Sequence, residues 1–248
     1  MPGVKASVLV LGLFLLLGLA RARAAEEKTH GFLHLVYQDA DGNDAKYVLF
    51  VPHDYKGDKA YPLILFLHGS GETGKDGERQ VRVGLGPVIK QRARTFPFFA
   101  LFPQAQKHTW QAGSQQARRA LDILALVERR YRIDAKRVYL TGLSMGGFGT
   151  WSLAEKYPQR WAAIVPICGG GDPRQAAKIK DIPCWCFHGD ADPAVKVEKS
   201  RAMIAALAKA GGQPKYTEYP GVGHASWVRA YATPELYAWL RKQHLNEQ

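Results

Sequence analysis

The sequence predicts an α/β protein with a mostly parallel central sheet, helices on both faces and an N-terminal antiparallel hairpin. Three observations predict it. Short, continuously apolar runs such as Leu63 to Leu67 read as strands buried on both faces, the habit of parallel sheets. Those runs alternate with amphipathic segments of helical period, so that strand is followed by covering helix along the chain. No repeat, low-complexity tract or linker interrupts the 248 residues, a length that suits one domain of this class once an N-terminal leader is removed.

Each element has its own warrant. Gly31 to Tyr37 and Ala45 to Val51 are strand-like runs joined by turn residues that include Asp41-Gly42-Asn43, which makes the hairpin. Leu63 to Leu67 is the next strand and ends in His68-Gly69-Ser70-Gly71; Phe98 to Phe102 follows and is stopped by Pro103. Gln116 to Tyr131 is a helix, because Ala117, Ala120, Leu121, Leu124, Val127 and Tyr131 recur at spacings of three and four. Arg137 to Leu140 is a strand, and Phe148 to Tyr157 a helix that stops near Pro158. Ala162 to Ile167 and Cys184 to Phe187 are buried strands. Val197 to Ala210 is a helix closed by Gly211-Gly212, and Tyr216 to Tyr219 is a short last strand. The final helix opens with Thr233 as N-cap, Pro234 in the first turn and Glu235 just inside.

Residues 1–24 read as a leader rather than as part of the domain. Lys5 gives a positive start, Ala6 to Ala20 is apolar, and Ala22-Arg23-Ala24 is a small-x-small cleavage site. The apolar run falls short of the ~20 residues that a spanning helix requires. The expectation is cleavage before Ala25, a secreted or periplasmic protein without a stable membrane anchor, and a catalytic domain over 25–248. Loss of Lys5, Arg21 and Arg23 lowers the formal charge from +12 to +9. The remaining basic clusters, Lys90 to Arg94, Arg118-Arg119, Arg129-Arg130 and Arg241-Lys242, lack the interleaved aromatic residues of a nucleic-acid stacking platform. They are expected to be solvated faces, with no nucleic-acid partner. Of the three cysteines, Cys184 and Cys186 flank Trp185 and share a strand face; a bridge from Cys168 to either stays open. No CxxC pair occurs, so no metal and no cofactor are expected.

The chemistry centres on Gly142-Leu143-Ser144-Met145-Gly146, which lies between a predicted strand and a predicted helix. A serine there sits on a sharp turn with its hydroxyl above the carboxyl edge of the sheet, and the flanking positions must be small. Gly142 and Gly146 meet that condition, which makes Ser144 the candidate nucleophile. A serine hydroxyl requires a base to take its proton, and on such elbows the order is serine, acid, histidine. Beyond residue 187 only His188, His224 and His244 are available. His244 lies in a charged tail and His188 precedes any suitable acid, so His224, in Gly221-Val222-Gly223-His224, is selected. Asp190 and Asp192 both qualify as the acid that holds the imidazole tautomer. A tetrahedral intermediate requires two amide donors for its oxyanion, assigned to Met145 and Ser70, with Gly71 next to the latter. Gln104 and Trp110, after the strand Phe98 to Phe102, are candidates for the pocket wall, with Gly71.

Taken together, LFLHGSGETG, TGLSMGG, FHGDADPAV and GVGHASW resemble secreted esterases of the α/β-hydrolase superfamily. The resemblance covers nearly all of residues 31 to 245. It is nearest to single-domain feruloyl-esterase-like and polyhydroxybutyrate-depolymerase-like enzymes, a group that includes predicted peptidases related to prolyl oligopeptidase. It implies the α/β-hydrolase fold and places the acid at Asp192, the third residue after His-Gly at its position in the motif. It also implies cleavage of short or aromatic acyl esters, such as feruloyl or acetyl groups on polysaccharide, through an acyl-enzyme, with a serine peptidase or a polyester depolymerase as alternatives. Two departures matter. Dienelactone hydrolases carry a cysteine nucleophile where this chain has Ser144, and prolyl oligopeptidases carry a propeller domain for which there is no room. No long insertion could form a lid, which argues for an open pocket.

Overall fold

The computed structural model describes residues 29–245, so the expected leader at 1–24 lies outside the described residues. Strands β1 (Gly31–Gln38) and β2 (Asp44–Val51) pair antiparallel from Gly31↔Val51 to Gln38↔Asp44. Six more strands follow: β3 (Tyr61–Leu67), β4 (Phe99–Pro103), β5 (Ile133–Leu143), β6 (Ala163–Ile167), β7 (Trp185–Gly189) and β8 (Lys215–Tyr219). They form one sheet in the order β1-β2-β4-β3-β5-β6-β7-β8. β2 meets β4 antiparallel, and every pairing from β4 through β8 is parallel. This is the mostly parallel sheet with an N-terminal antiparallel pair that the sequence predicts.

Helices cover both faces, as the alternating pattern demands. They are α1 (Leu85–Gln91), α2 (Gln115–Arg130), α3 (Met145–Lys156), α4 (Ala176–Ile179), α5 (Glu198–Lys209), α6 (Trp227–Ala232) and α7 (Pro234–Leu240). On one face, Leu63, Leu65, Leu67 and Leu140 pack with Ala120, Leu124 and Val127 of α2 and with Trp151 of α3. On the other, Ile64, Phe66, Tyr139 and Val165 pack with Ile89 of α1, Tyr231 of α6 and Leu236 and Leu240 of α7. All seven residues of β3 are buried, because it lies between β4 and β5 and is covered above and below. Among the described residues, no helix is long and apolar enough to cross a membrane.

Several elements differ from the sequence expectation for physical reasons. α1, α4 and α6 have seven residues or fewer, too short to register a helical period, and α1 also carries Gly86 and Pro87. β5 begins at Ile133 rather than Arg137, since Asp134 and Lys136 hide the run of backbone that pairs Tyr61 with Ile133. α3 begins at Met145 rather than Phe148; tertiary packing overrides the poor helix propensity of Gly146 and Gly147. Thr233 precedes α7 as expected but makes no side-chain cap, its hydroxyl donating instead to the Arg229 carbonyl at 3.0 Å. Arg119 is not on a solvated face. It is buried, and its Nε and Nη2 grip Asp39 Oδ2 at 2.9 and 2.6 Å, tying α2 to the β1–β2 turn. The three cysteines are free and buried, with Cys168 on one sheet face and Cys184 and Cys186 on the other, so neither bridge forms.

Candidate active site

The carboxyl end of β5 runs into Ser144 and then directly into α3. Ser144 has φ 52° and ψ −117°, a conformation that L-residues adopt at a cost on the order of 1–3 kcal/mol. The turn is held there from several sides. The Ser144 amide donates to the Ile167 carbonyl at 3.0 Å and approaches Cys168 Sγ at 3.3 Å, while the Ser144 carbonyl accepts from Phe148 N at 3.0 Å. A Cβ on Gly142 would strike the Gly146 carbonyl, and one on Gly146 would strike the Leu67 carbonyl. The two glycines therefore set how closely β5, α3 and β3 converge beneath the serine.

Two loops at the same sheet edge bring the partners in. His224 follows β8, and its Nε2 lies 2.9 Å from Ser144 Oγ while its Nδ1 lies 2.7 Å from Asp192 Oδ2. Asp192, in the loop after β7, is buried, and its Oδ1 accepts the amides of Ala194 and Val195, each at 2.9 Å. Burial raises its carboxyl pKa, but the bonds from His224 and from the Val195 and Ala194 amides outweigh that, and the pKa is lowered. An ionised Asp192 only accepts, so His224 Nδ1 carries the hydrogen and Nε2 faces the Ser144 hydroxyl as an acceptor. Asp190 does otherwise: its Oδ1 takes the Gly221 amide at 2.7 Å and braces the histidine loop.

After β3, Ser70–Glu72 forms a single 3-10 turn in which the Glu72 and Thr73 amides donate to the Gly69 and Ser70 carbonyls. Ser70 and Gly71 are exposed at its rim, and Met145 is half-buried at the start of α3. Gln104 and Trp110 are not pocket walls, contrary to the sequence expectation; both are buried. Gln104 Oε1 accepts Gly77 N at 2.7 Å and its Nε2 donates to the Glu72 carbonyl at 3.0 Å. Trp110 donates its indole N–H to the His68 carbonyl at 3.0 Å and packs against Gly149. His68 completes this support, with Nε2 accepting Ala105 N at 2.9 Å and burial pulling its pKa down to about 4. These polar side chains shape the Ser70 loop from below.

Two neighbours escaped the sequence reading. The Trp227 ring stands edge-on to His224 at 5.3 Å, with exposed Val228 beside it. The signal was the aromatic residue three places after the histidine, one helical turn on. The second is His188, passed over as a base, which is buried with Nε2 3.1 Å from Asp192 Oδ2. Among the described residues, Cys168, Asp192 and His224 bring one ligand atom each within 4.8 Å of one another. Burial pushes the Cys168 thiol up to about 12, and the Asp192 and His224 atoms are engaged with each other, which disfavours a cation there.

The comparisons agree with this fold. A poly(3-hydroxyalkanoate) depolymerase C from Paucimonas lemoignei is 33% identical over 64% of this chain and 37% of its own length. A probable feruloyl esterase C from Aspergillus flavus is 25% identical over 75% of this chain and 70% of its own. A solved structure of a thermostable esterase superposes with a TM-score of 0.79 at 38% identity, over 86% of this chain and 63% of that one. The chain thus spans about a third of the depolymerase and under two thirds of the esterase. Residues 44–237, from the start of β2 into α7, match the dienelactone hydrolase family, and this chain, although serine stands at its elbow, belongs to that family.

Proposed function

We propose that this chain is an exported serine carboxylic ester hydrolase with Ser144 as nucleophile, His224 as base and Asp192 as acid. The observation that carries the reading is the continuous chain from Ser144 Oγ to His224 at 2.9 Å and from His224 to Asp192 at 2.7 Å. As Oγ adds to the ester carbonyl, its proton passes to His224 Nε2, and Asp192 stabilises the imidazolium. The carbonyl oxygen takes up the negative charge between the amides of Met145 and Ser70, with Gly71 beside it. Collapse breaks the C–O bond, the leaving oxygen takes the proton from His224, and the acyl group stays on Ser144. Water then gives a proton to His224 and attacks that ester, releasing the acid and restoring the serine.

Short or aromatic acyl esters, feruloyl or acetyl on polysaccharide, suit a site that no long insertion covers. Trp227 beside His224 offers an aromatic wall in place of Trp110. The likeness to a poly(3-hydroxyalkanoate) depolymerase favours polyester as the second substrate class. Labelling with a fluorophosphonate, alongside turnover of p-nitrophenyl acetate and a proline anilide, tests the reading. Labelling should vanish in Ser144→Ala together with activity, a loss on the order of 10⁶ if chemistry limits the rate. Labelling that persists in Ser144→Ala would place the nucleophile elsewhere, and anilide turnover rivalling that of the ester would make the chain a peptidase.

A further inference from the structure

We propose that His188 is a positioning residue that holds the triad acid from behind; the proposal rests on the triad reading above. The ring is fully buried at the end of β7, and both of its nitrogens are engaged. Nε2 lies 3.1 Å from Asp192 Oδ2 and 2.9 Å from the Val195 carbonyl. Both partners accept, so Nε2 carries a hydrogen that they share. Across the ring, Nδ1 meets Ser200 Oγ of α5 at 2.7 Å, and Ser200 Oγ lies 3.2 Å from the Gly169 carbonyl beyond β6. A polar ring in a dry interior costs free energy unless it is bonded. An apolar residue would cost less here, so the histidine is explained by what it bonds.

The effect on Asp192 is specific. Its Oδ1 is fixed by two amides of its own loop, whereas Oδ2, the atom that orients His224, receives one N–H from His224 and one from His188. The loop amides alone fix the acid relative to the loop. His188 fixes it relative to the sheet, which also carries Ser144 at the end of β5. A rigid ring with a bond at each end is suited to that, because it spans from α5 to the acid without a flexible stem.

The test is steady-state turnover of p-nitrophenyl acetate by His188→Met and His188→Gln, each made alone and in an Asp192→Ala background. His188→Met should lower kcat roughly 10–100-fold, the scale of one hydrogen bond to a charged group, with KM little changed. His188→Gln, whose amide can donate at the Nε2 position, should recover most of the loss. In Asp192→Ala there is no carboxylate to position, so adding His188→Met should change kcat less than about two-fold, the non-additivity expected of residues acting as a unit. If His188→Met does not fold, His188→Asn takes its place: its shorter amide keeps the Ser200 end, loses the Asp192 end, and should lose activity where Gln does not. Equal losses in both backgrounds, or a Gln variant no better than Met or Asn, would overturn the proposal. Full activity in Asp192→Ala alone would instead overturn the triad reading.

Discussion

The carboxylates of Asp190 and Asp192 leave one loop in different directions. Asp192 turns inward to His224 and two amides, and Asp190 turns outward to the Gly221 amide. Asp192→Asn should therefore cost kcat/KM roughly 10⁴-fold, because an amide in that place favours the wrong imidazole tautomer. Asp190→Asn keeps an oxygen acceptor for Gly221 and should cost far less; reversed effects would move the acid to Asp190. Side-chain direction is also what divided the legible residues from the others. Ser144 and His224 were readable because the elbow and the chain order constrain them before any fold is known. The spacing alone left Asp190 and Asp192 open. Gln104 and Trp110, expected as pocket walls at this sheet edge, are buried and bond the Glu72 and His68 carbonyls, since sequence gives a residue's edge of the sheet and not whether it faces solvent or core. Nothing in the spacing of His188 points to Asp192 as its partner; only the turn after β7 brings the acid back against the buried ring.

At the scale of elements, the long ones were legible and the short ones were not. β3 and α2 have enough residues to show a continuous apolar run or a period of three and four, whereas α4 has four residues and α6 six. The junction of α2 with the β1–β2 turn was hidden for another reason: Arg119 looks like one of a solvated basic pair until Asp39 is brought against it. The Asn43 amide, and then the Arg119 guanidinium, hold the Asp39 carboxyl below its ordinary value of 3.8. A carboxyl lowered in the folded state stabilises the fold above its unfolded pKa, and that contribution fades as pH falls through the folded value. Arg119→Gln should lower the thermal midpoint at pH 7, and the deficit should shrink as the medium is taken below about pH 4. A deficit of the same size at pH 7 and pH 3 would show that packing, not the ion pair, is what Arg119 supplies.

For the molecule as a whole, class and sheet organisation were legible because alternation of buried strands and covering helices leaves few topologies. The path of the open edge and the shape of the site were not, since they depend on loops with no period of their own. β5 runs directly into α3 and the connections from β7 to α5 and from β8 to the His224 turn are short, while the longer connection from β3 to α1 is tied down by Gln104 through Gly77 and Glu72. Turnover should accordingly be high on short-chain p-nitrophenyl esters and methyl ferulate and low on long-chain triglycerides, because interfacial enzymes cover an apolar mouth in water. Strong lipase activity would contradict an open site. Expression in an exporting host should yield protein beginning at Ala25, read by intact mass; a chain that keeps Met1 would contradict the leader.

The separation of the thiols across the sheet has a consequence for survival. Cys168 is sealed on one side, Cys184 and Cys186 on the other, and all three are shielded while the fold persists. Unfolding releases them together into a single flexible chain, where an oxidant can join pairs that the native sheet holds apart. Durability in an oxidising medium is then governed by how rarely the protein opens, not by how stable it is at equilibrium. Heated and cooled with a reductant, the enzyme should regain activity; heated and cooled with oxidised glutathione, it should return crosslinked and inactive. Equal recovery under both conditions would show that refolding outruns oxidation.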